Sequence, residues 1–151
     1  MLRSYLVNRK QVVVVNGKYS EPLPVTSGVP QGSVLSPLIF IALMSVIHTV
    51  VSPGTCLTLF AADILVYRPQ FVTEDNEVLQ LDLDHMDAWR AVNQLSFNPE
   101  ESAYLRLSRS SGDPGDDVYR LAGAVIPNAP MVKYLGLHID RRMSWSEHWS
   151  A

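Results

Sequence analysis

One uncharged run constrains this chain more than any other feature. Residues 37–51 contain no Lys, Arg, Asp or Glu across 15 positions. A bilayer-spanning helix needs about 20 apolar residues, so the run is too short to cross a membrane and predicts a buried core helix. Ser36-Pro37 fits an N-cap followed by a proline at the first helical position, and the helix is expected from Pro37 to about His48. Ser52-Pro53-Gly54 supplies the stop. In front of the helix stands a loop, residues 26–36, where Gly28, Pro30 and Gly32 impose a backbone shape.

Composition narrows the class. The chain has 151 residues, 47% of them apolar and 18% charged, which excludes a disordered tail, a collagen-like chain and a charged coiled coil. This length suggests one domain able to bury about 70% of its unfolded surface. A single cysteine, Cys56, rules out an internal disulfide framework and a multi-cysteine zinc site, and makes a reducing compartment the default. Net charge is −3, so no overall basic character draws the chain to nucleic acid. The one basic patch is Arg3, Arg9, Lys10 and Lys18, with no acid before Glu21. The first 18 residues lack the apolar core of a targeting signal.

The remaining elements follow from local pattern. A helix end leads into a strand at residues 12–15, and Asn16-Gly17 is a turn signal. Residues 57–68 read as a hairpin with Ala62-Asp63 at its tip, where alanine is a poor choice for positive φ. Residues 73–92 read as a helix capped by Thr73, with Leu79, Leu83, Met86 and Trp89 near one face. Strands are expected at 104–107, 119–121, 124–126 and 134–139, and a surface loop at 110–117. Mixed helices and strands without βαβ alternation make the fold class α+β.

Several motifs together now carry a family likeness. Ser27-Gly28-Val29-Pro30-Gln31-Gly32-Ser33-Val34-Leu35-Ser36-Pro37-Leu38-Ile39-Phe40 resembles motif B of reverse transcriptases, most of all those of non-LTR retrotransposons such as the jockey-like elements. Ser4-Tyr5-Leu6-Val7-Asn8-Arg9-Lys10-Gln11 resembles the segment before it. Leu59-Phe60-Ala61-Ala62-Asp63-Ile64-Leu65-Val66-Tyr67-Arg68 resembles motif C. Residues 79–89 with Leu95-Ser96-Phe97-Asn98-Pro99 resemble motif D, and Lys133-Tyr134-Leu135-Gly136-Leu137-His138-Ile139-Asp140 resembles motif E. Ser144-Trp145-Ser146-Glu147-His148 is similar to the stretch that follows.

The resemblance implies the second half of a right-hand polymerase palm over residues 1–140 and the start of a thumb over 141–151. It implies DNA synthesis on an RNA template from a DNA primer, in cytoplasm or nucleus, with no membrane. Magnesium (Mg2+) serves the family, held by carboxylates of motifs A and C. Gly28, Pro30, Gln31 and Gly32 would line the nucleotide and template side, and Arg9 and Lys10 would meet phosphates. This chain departs from the pattern at its most chemical positions. Ala62 replaces the main carboxylate of motif C, leaving Asp63 as its remnant, and Glu100-Glu101 stand where motif D offers a lysine. Motif A is expected upstream of the first residue. The chain alone is therefore expected to be inactive and to bind no magnesium. The strand edge normally covered by motif A is expected to favour self-association. A domesticated module that binds nucleic acid or protein without chemistry is the alternative.

Plainer readings stand beside these. Asp63 is also an ordinary turn residue. Glu74, Asp75, Glu77, Asp82, Asp84 and Asp87 read as a solvated helix face. His48, His85, His138 and His148 show no zinc spacing with Cys56. Trp89, Trp145 and Trp149 read as packing or a former interface, and Asp113 to Asp117 as a surface turn without calcium ligands. No Gly-x-Ser-x-Gly elbow supports hydrolase chemistry.

Overall fold

The computed structural model describes residues 2–108 and 117–144. Trp145, His148, Trp149, Asp113, Asp116 and most of the expected thumb start lie outside the described residues. Two compact units divide the chain, Met1–Val46 and Ile47–Ala151. The described strands pair as five separate two-stranded antiparallel ladders, so helices and small sheets are mixed as an α+β chain requires. No helix among the described residues is long and apolar enough to cross a membrane.

The first unit opens with α1 (Leu2–Leu6), followed by β1 (Lys10–Gln11), β2 (Val14–Val15), β3 (Lys18–Tyr19) and β4 (Leu23–Pro24). β2 and β3 pair across Asn16-Gly17, whose φ values of 51° and 75° are those of a type I′ hairpin turn. β1 and β4 pair with Lys10 opposite Pro24, and proline is tolerated there because the strand has no further neighbour. Val12 to Val15, Tyr19 and Leu23 are all exposed.

Helix α2 (Ser36–Met44) continues as a 3-10 helix over Ser45–Val50. Its start corrects the expected cap. Leu35 occupies the cap position and Ser36 is already helical. The Ser36 N–H donates instead to Ser33 Oγ at 3.2 Å, so a serine three residues earlier does the capping. The core-helix expectation is also corrected. Ser36 and Met44 are buried, but Leu38 is 63% exposed and Ile41 is 60% exposed. An apolar run says that burial is favourable; it does not say that a neighbour is there to supply it.

The second unit holds the apolar core. β5 (Cys56–Phe60) and β6 (Asp63–Tyr67) form a five-residue ladder. α3 (Glu74–Val92) follows, then a 3-10 turn over Pro99–Glu101. β7 (Tyr119–Leu121) and β8 (Ala124–Ile126) form one hairpin, β9 (Met131–Tyr134) and β10 (Leu137–Asp140) another. Leu83, Met86 and Trp89 lie at helical spacing and are buried, together with Ile47, Leu57, Tyr119 and Ile126. Each such side chain contributes roughly 1.5–3 kcal/mol on burial. α3 packs on β7, and the Gln80 amide pairs with both backbone groups of Arg120, accepting from its N–H at 2.8 Å and donating to its carbonyl at 3.1 Å. That side chain satisfies backbone groups of β7 as a further strand would.

Three more expectations are corrected. Residues 104–107 form no strand; Tyr104 makes an isolated parallel bridge to Asn128. Residues 134–139 are not one strand, because Leu135-Gly136 turns the chain at φ 50° and 85° between β9 and β10. Thr73 precedes α3 but makes no side-chain cap bond. The first-turn N–H groups of Asp75 and Asn76 donate instead to the Val72 and Thr73 carbonyls, both at 3.2 Å, while the Asp75 carboxylate reaches back to the N–H groups of Phe71 at 2.9 Å and Val72 at 3.1 Å ahead of the helix.

Candidate functional site

The sequence-derived site residues fall in both units. Arg9, Lys10, Gly28, Pro30, Gln31 and Gly32 belong to the first, and Ala62 and Asp63 to the second.

In the first unit, the loop before α2 is shaped by its own chemistry. Ser33 N–H donates to the Pro30 carbonyl at 3.3 Å, and Gly32 between them has φ 83°. This fits a type II turn, whose third residue favours glycine. Gly28 is at φ 71°. A methyl group on either glycine would meet no atom within 4 Å, so backbone conformation, not crowding, demands glycine. Gln31 and Gly32 are exposed at the tip and Pro30 is half-buried. The Arg9 guanidinium reaches this loop: its Nη2 donates to the carbonyls of Ser27 at 3.2 Å and Gly28 at 2.5 Å. Tyr5 donates to Ser33 Oγ. Lys10 is exposed.

In the second unit, β5 and β6 present the residues that resemble motif C. Their two-residue turn is Ala61-Ala62, one position earlier than expected, and Asp63 is the first residue of β6, paired with Phe60. Ala61 has φ 50°, a left-handed conformation without glycine's freedom. The hairpins turning at Asn16-Gly17, Ala122-Gly123 and Leu135-Gly136 each place glycine second, with both φ values positive. Ala61, like Ala122 and Leu135 at the first position of their turns, carries strain of about 1–2 kcal/mol. Ala62 and Asp63 are both exposed.

Magnesium in this family needs hard oxygen donors converging on one point. The turn offers a methyl group at Ala62 beside the single carboxylate of Asp63. No group of three His, Cys, Asp or Glu side chains suited to a metal ion occurs among the described residues. The donor set at Asp63 does not fit a two-magnesium centre. Glu100 and Glu101 lie in the 3-10 turn after Asn98, whose side chain accepts from the Glu100 N–H at 3.2 Å.

Sequence reasoning missed the groups that hold the hairpin to α3. Asp82 is fully buried, not solvated. Its carboxylate accepts from the Ser52 N–H at 2.8 Å, the Ser52 hydroxyl at 2.7 Å and the Thr55 hydroxyl at 2.5 Å, just before β5. Asp75 is buried as well. It pairs with Arg68, the residue just after β6, at 2.9 Å. Arg68 in turn donates to the Pro53 carbonyl at 3.1 Å and the Thr55 hydroxyl at 3.2 Å. The backbone N–H groups of Phe71 and Val72, with Arg68 in support, hold the Asp75 carboxyl below its usual pKa. Asp82 was findable. It lies three residues after Leu79 and four before Met86, on the apolar stripe itself.

The comparisons with known proteins agree with the family likeness. The family model described as reverse transcriptase (RNA-dependent DNA polymerase) matches residues 1–139. The probable RNA-directed DNA polymerase from transposon BS of Drosophila melanogaster is 30% identical over all of this chain and 17% of its own length. The RNA-directed DNA polymerase from mobile element jockey of the same organism is 30% identical over 98% of this chain and 17% of its own length. The probable RNA-directed DNA polymerase from transposon X-element is 31% identical, over 98% and 16%. The chain thus spans about one sixth of the length of the curated relatives it matches. No solved structure matches. With a family match over nearly all of its length, the chain belongs to the reverse transcriptase (RNA-dependent DNA polymerase) family, as a domain segment of the non-LTR retrotransposon type.

Proposed function

We propose that residues 1–140 are the motif B to motif E part of the palm of an RNA-directed DNA polymerase, with the thumb beginning at 141–151, and that the chain by itself does not extend a primer. One observation carries the second statement. The motif C turn presents Ala62 where the family's main carboxylate stands, and Asp63 is its one remaining acid. Groups that act as a unit in catalysis fail together, and loss of one commonly costs orders of magnitude in rate. On this reading Gly28, Pro30, Gln31 and Gly32 face the nucleotide and template, Lys10 meets phosphate, and the partners are an RNA template and a DNA primer.

The test is primer extension. The purified chain, given an RNA template, an annealed DNA primer, the four deoxynucleotides and magnesium, should incorporate nothing. Templated incorporation overturns the proposal. In a longer product that carries an upstream acidic strand, Ala62→Asp should raise incorporation by orders of magnitude.

A second reading, a module that binds nucleic acid without chemistry, is favoured by charge distribution. Residues 1–46 hold four cations and one carboxylate, a net +3, while residues 47–151 hold eight and fourteen, a net −6. Binding of single-stranded RNA that weakens with salt and is lost on charge reversal at Lys10 and Lys18 would establish it. The open edges of the β5–β6 ladder, with Phe60 exposed, also lead us to expect self-association, read by sedimentation over a concentration series.

A further inference from the structure

The loop before α2 is held at both ends by the segment that precedes β1. At its start, Arg9 Nη2 donates to the Ser27 and Gly28 carbonyls, while Nε donates to the Leu6 carbonyl at 3.1 Å and anchors the guanidinium to the end of α1. The Arg9 carbonyl accepts from the Val25 N–H at 2.9 Å, so backbone and side chain of one residue tie to the same segment, the one that leads from β4 into the loop. At the loop's other end, hydroxyl bookkeeping has one solution. Ser36 has a single hydroxyl hydrogen, given to the Pro30 carbonyl at 2.5 Å. Ser33 must therefore donate to Ser36 Oγ across 2.8 Å. Its two lone pairs then accept from Tyr5 and from the Ser36 N–H. The run from Tyr5 through Ser33 and Ser36 to Pro30 is a relay in one direction, in which each bond polarises the next.

We propose that Arg9 is a positioning residue: with Tyr5 as its counterpart, it fixes the shape in which Gln31 and Gly32 are presented, and it is not a phosphate contact. Three of its five N–H directions are engaged by carbonyls of the chain itself. A planar fork can span carbonyls of Leu6, Ser27 and Gly28; the point charge of a lysine cannot. The importance of the loop rests on the motif B reading. The loop's geometry does not, and is measurable in a chain that extends no primer.

The experiment is a two-dimensional amide NMR spectrum of the whole chain with Arg9→Lys, Arg9→Ala and Lys10→Ala, together with single-stranded RNA binding across a salt series. Arg9→Lys should displace the Gly28, Gly32 and Ser33 resonances as far as Arg9→Ala does, with the Gln11 and Leu23 amides of the β1–β4 pair unmoved. Lys10→Ala should leave the loop resonances in place and lower the salt slope of RNA binding by about one, whereas the Arg9 variants keep the slope. Loop resonances unmoved by Arg9→Lys overturn the proposal. So does a slope reduced by Arg9→Ala, which would make Arg9 a phosphate contact. Loss of the β1–β4 resonances along with the loop also overturns it, since Arg9 would then hold the whole unit. The resonances decide the matter even where no RNA binding is measured.

Discussion

The two units are stabilised by different physics. Among the described residues, the first buries Ser36 and Met44 and leaves Leu38, Ile41 and the Val12–Val15 run exposed; it is held by two-residue ladders, the Arg9 fork and the Tyr5 relay. The second buries seven apolar side chains and two carboxylates, with Asp82 and Asp75 fastening the β5–β6 hairpin to α3. Hydrogen bonds at half-exposed positions contribute about 0.5–1.5 kcal/mol each, because water competes for both partners. Burial of apolar area grows with every side chain added. The unit with the Gly28–Gly32 loop is thus built to keep a local shape, and the unit with the Ala61-Ala62 turn is built to resist unfolding.

The contrast can be broken from either side. Met86→Ala should have the largest effect, destabilising the second unit by about 2–5 kcal/mol in urea melts followed by tryptophan fluorescence. Asp82→Ala should cost about 1–3 kcal/mol, because the Ser52 N–H and two hydroxyls lose a buried acceptor. An unchanged melt would show that water replaces the carboxylate. Acid should act through Asp75. Its pKa lies below the ordinary 3.8, so its contribution is complete above that value and is lost as pH falls through the lower, folded-state pKa. Asp75→Asn should flatten this acid limb of the stability curve. Ala61→Gly should stabilise the second unit by about 1 kcal/mol by relieving the left-handed turn. Ile41→Lys should change stability by less than about 0.5 kcal/mol, since its side chain is already in water. A large loss there would mean that the face of α2 is covered in solution, and the contrast between the units would narrow.

Local signals were legible where local energetics decide. Asn16-Gly17 announces its turn because positive φ costs asparagine and glycine little, and Gly28 and Gly32 announce the loop for the same reason. The residue pattern of α3 announces a helix because its apolar positions recur at helical spacing. Partners were not legible. Thr73 looks like the side-chain cap of α3, but the first-turn N–H groups go to the Val72 and Thr73 carbonyls, and Asp75, paired with Arg68, holds the Phe71 and Val72 N–H groups ahead of the helix. Ser36 looks like the cap of α2, but its hydroxyl is turned to Pro30 and Ser33 receives the N–H. Asp82 looks like part of a solvated acidic face until Ser52 and Thr55 come from another part of the chain to meet it.

By itself, the sequence determined the family and the Ala62-Asp63 pair on which the proposed loss of a carboxylate rests, because these depend on residue identity and spacing alone. The tertiary structure decided that Arg9 faces its own loop, that Asp82 is a buried acceptor and that α2 shows apolar side chains to water. Each of these depends on groups distant in the chain, and a side chain's partner is set by the free energy of the whole arrangement, which no local pattern encodes.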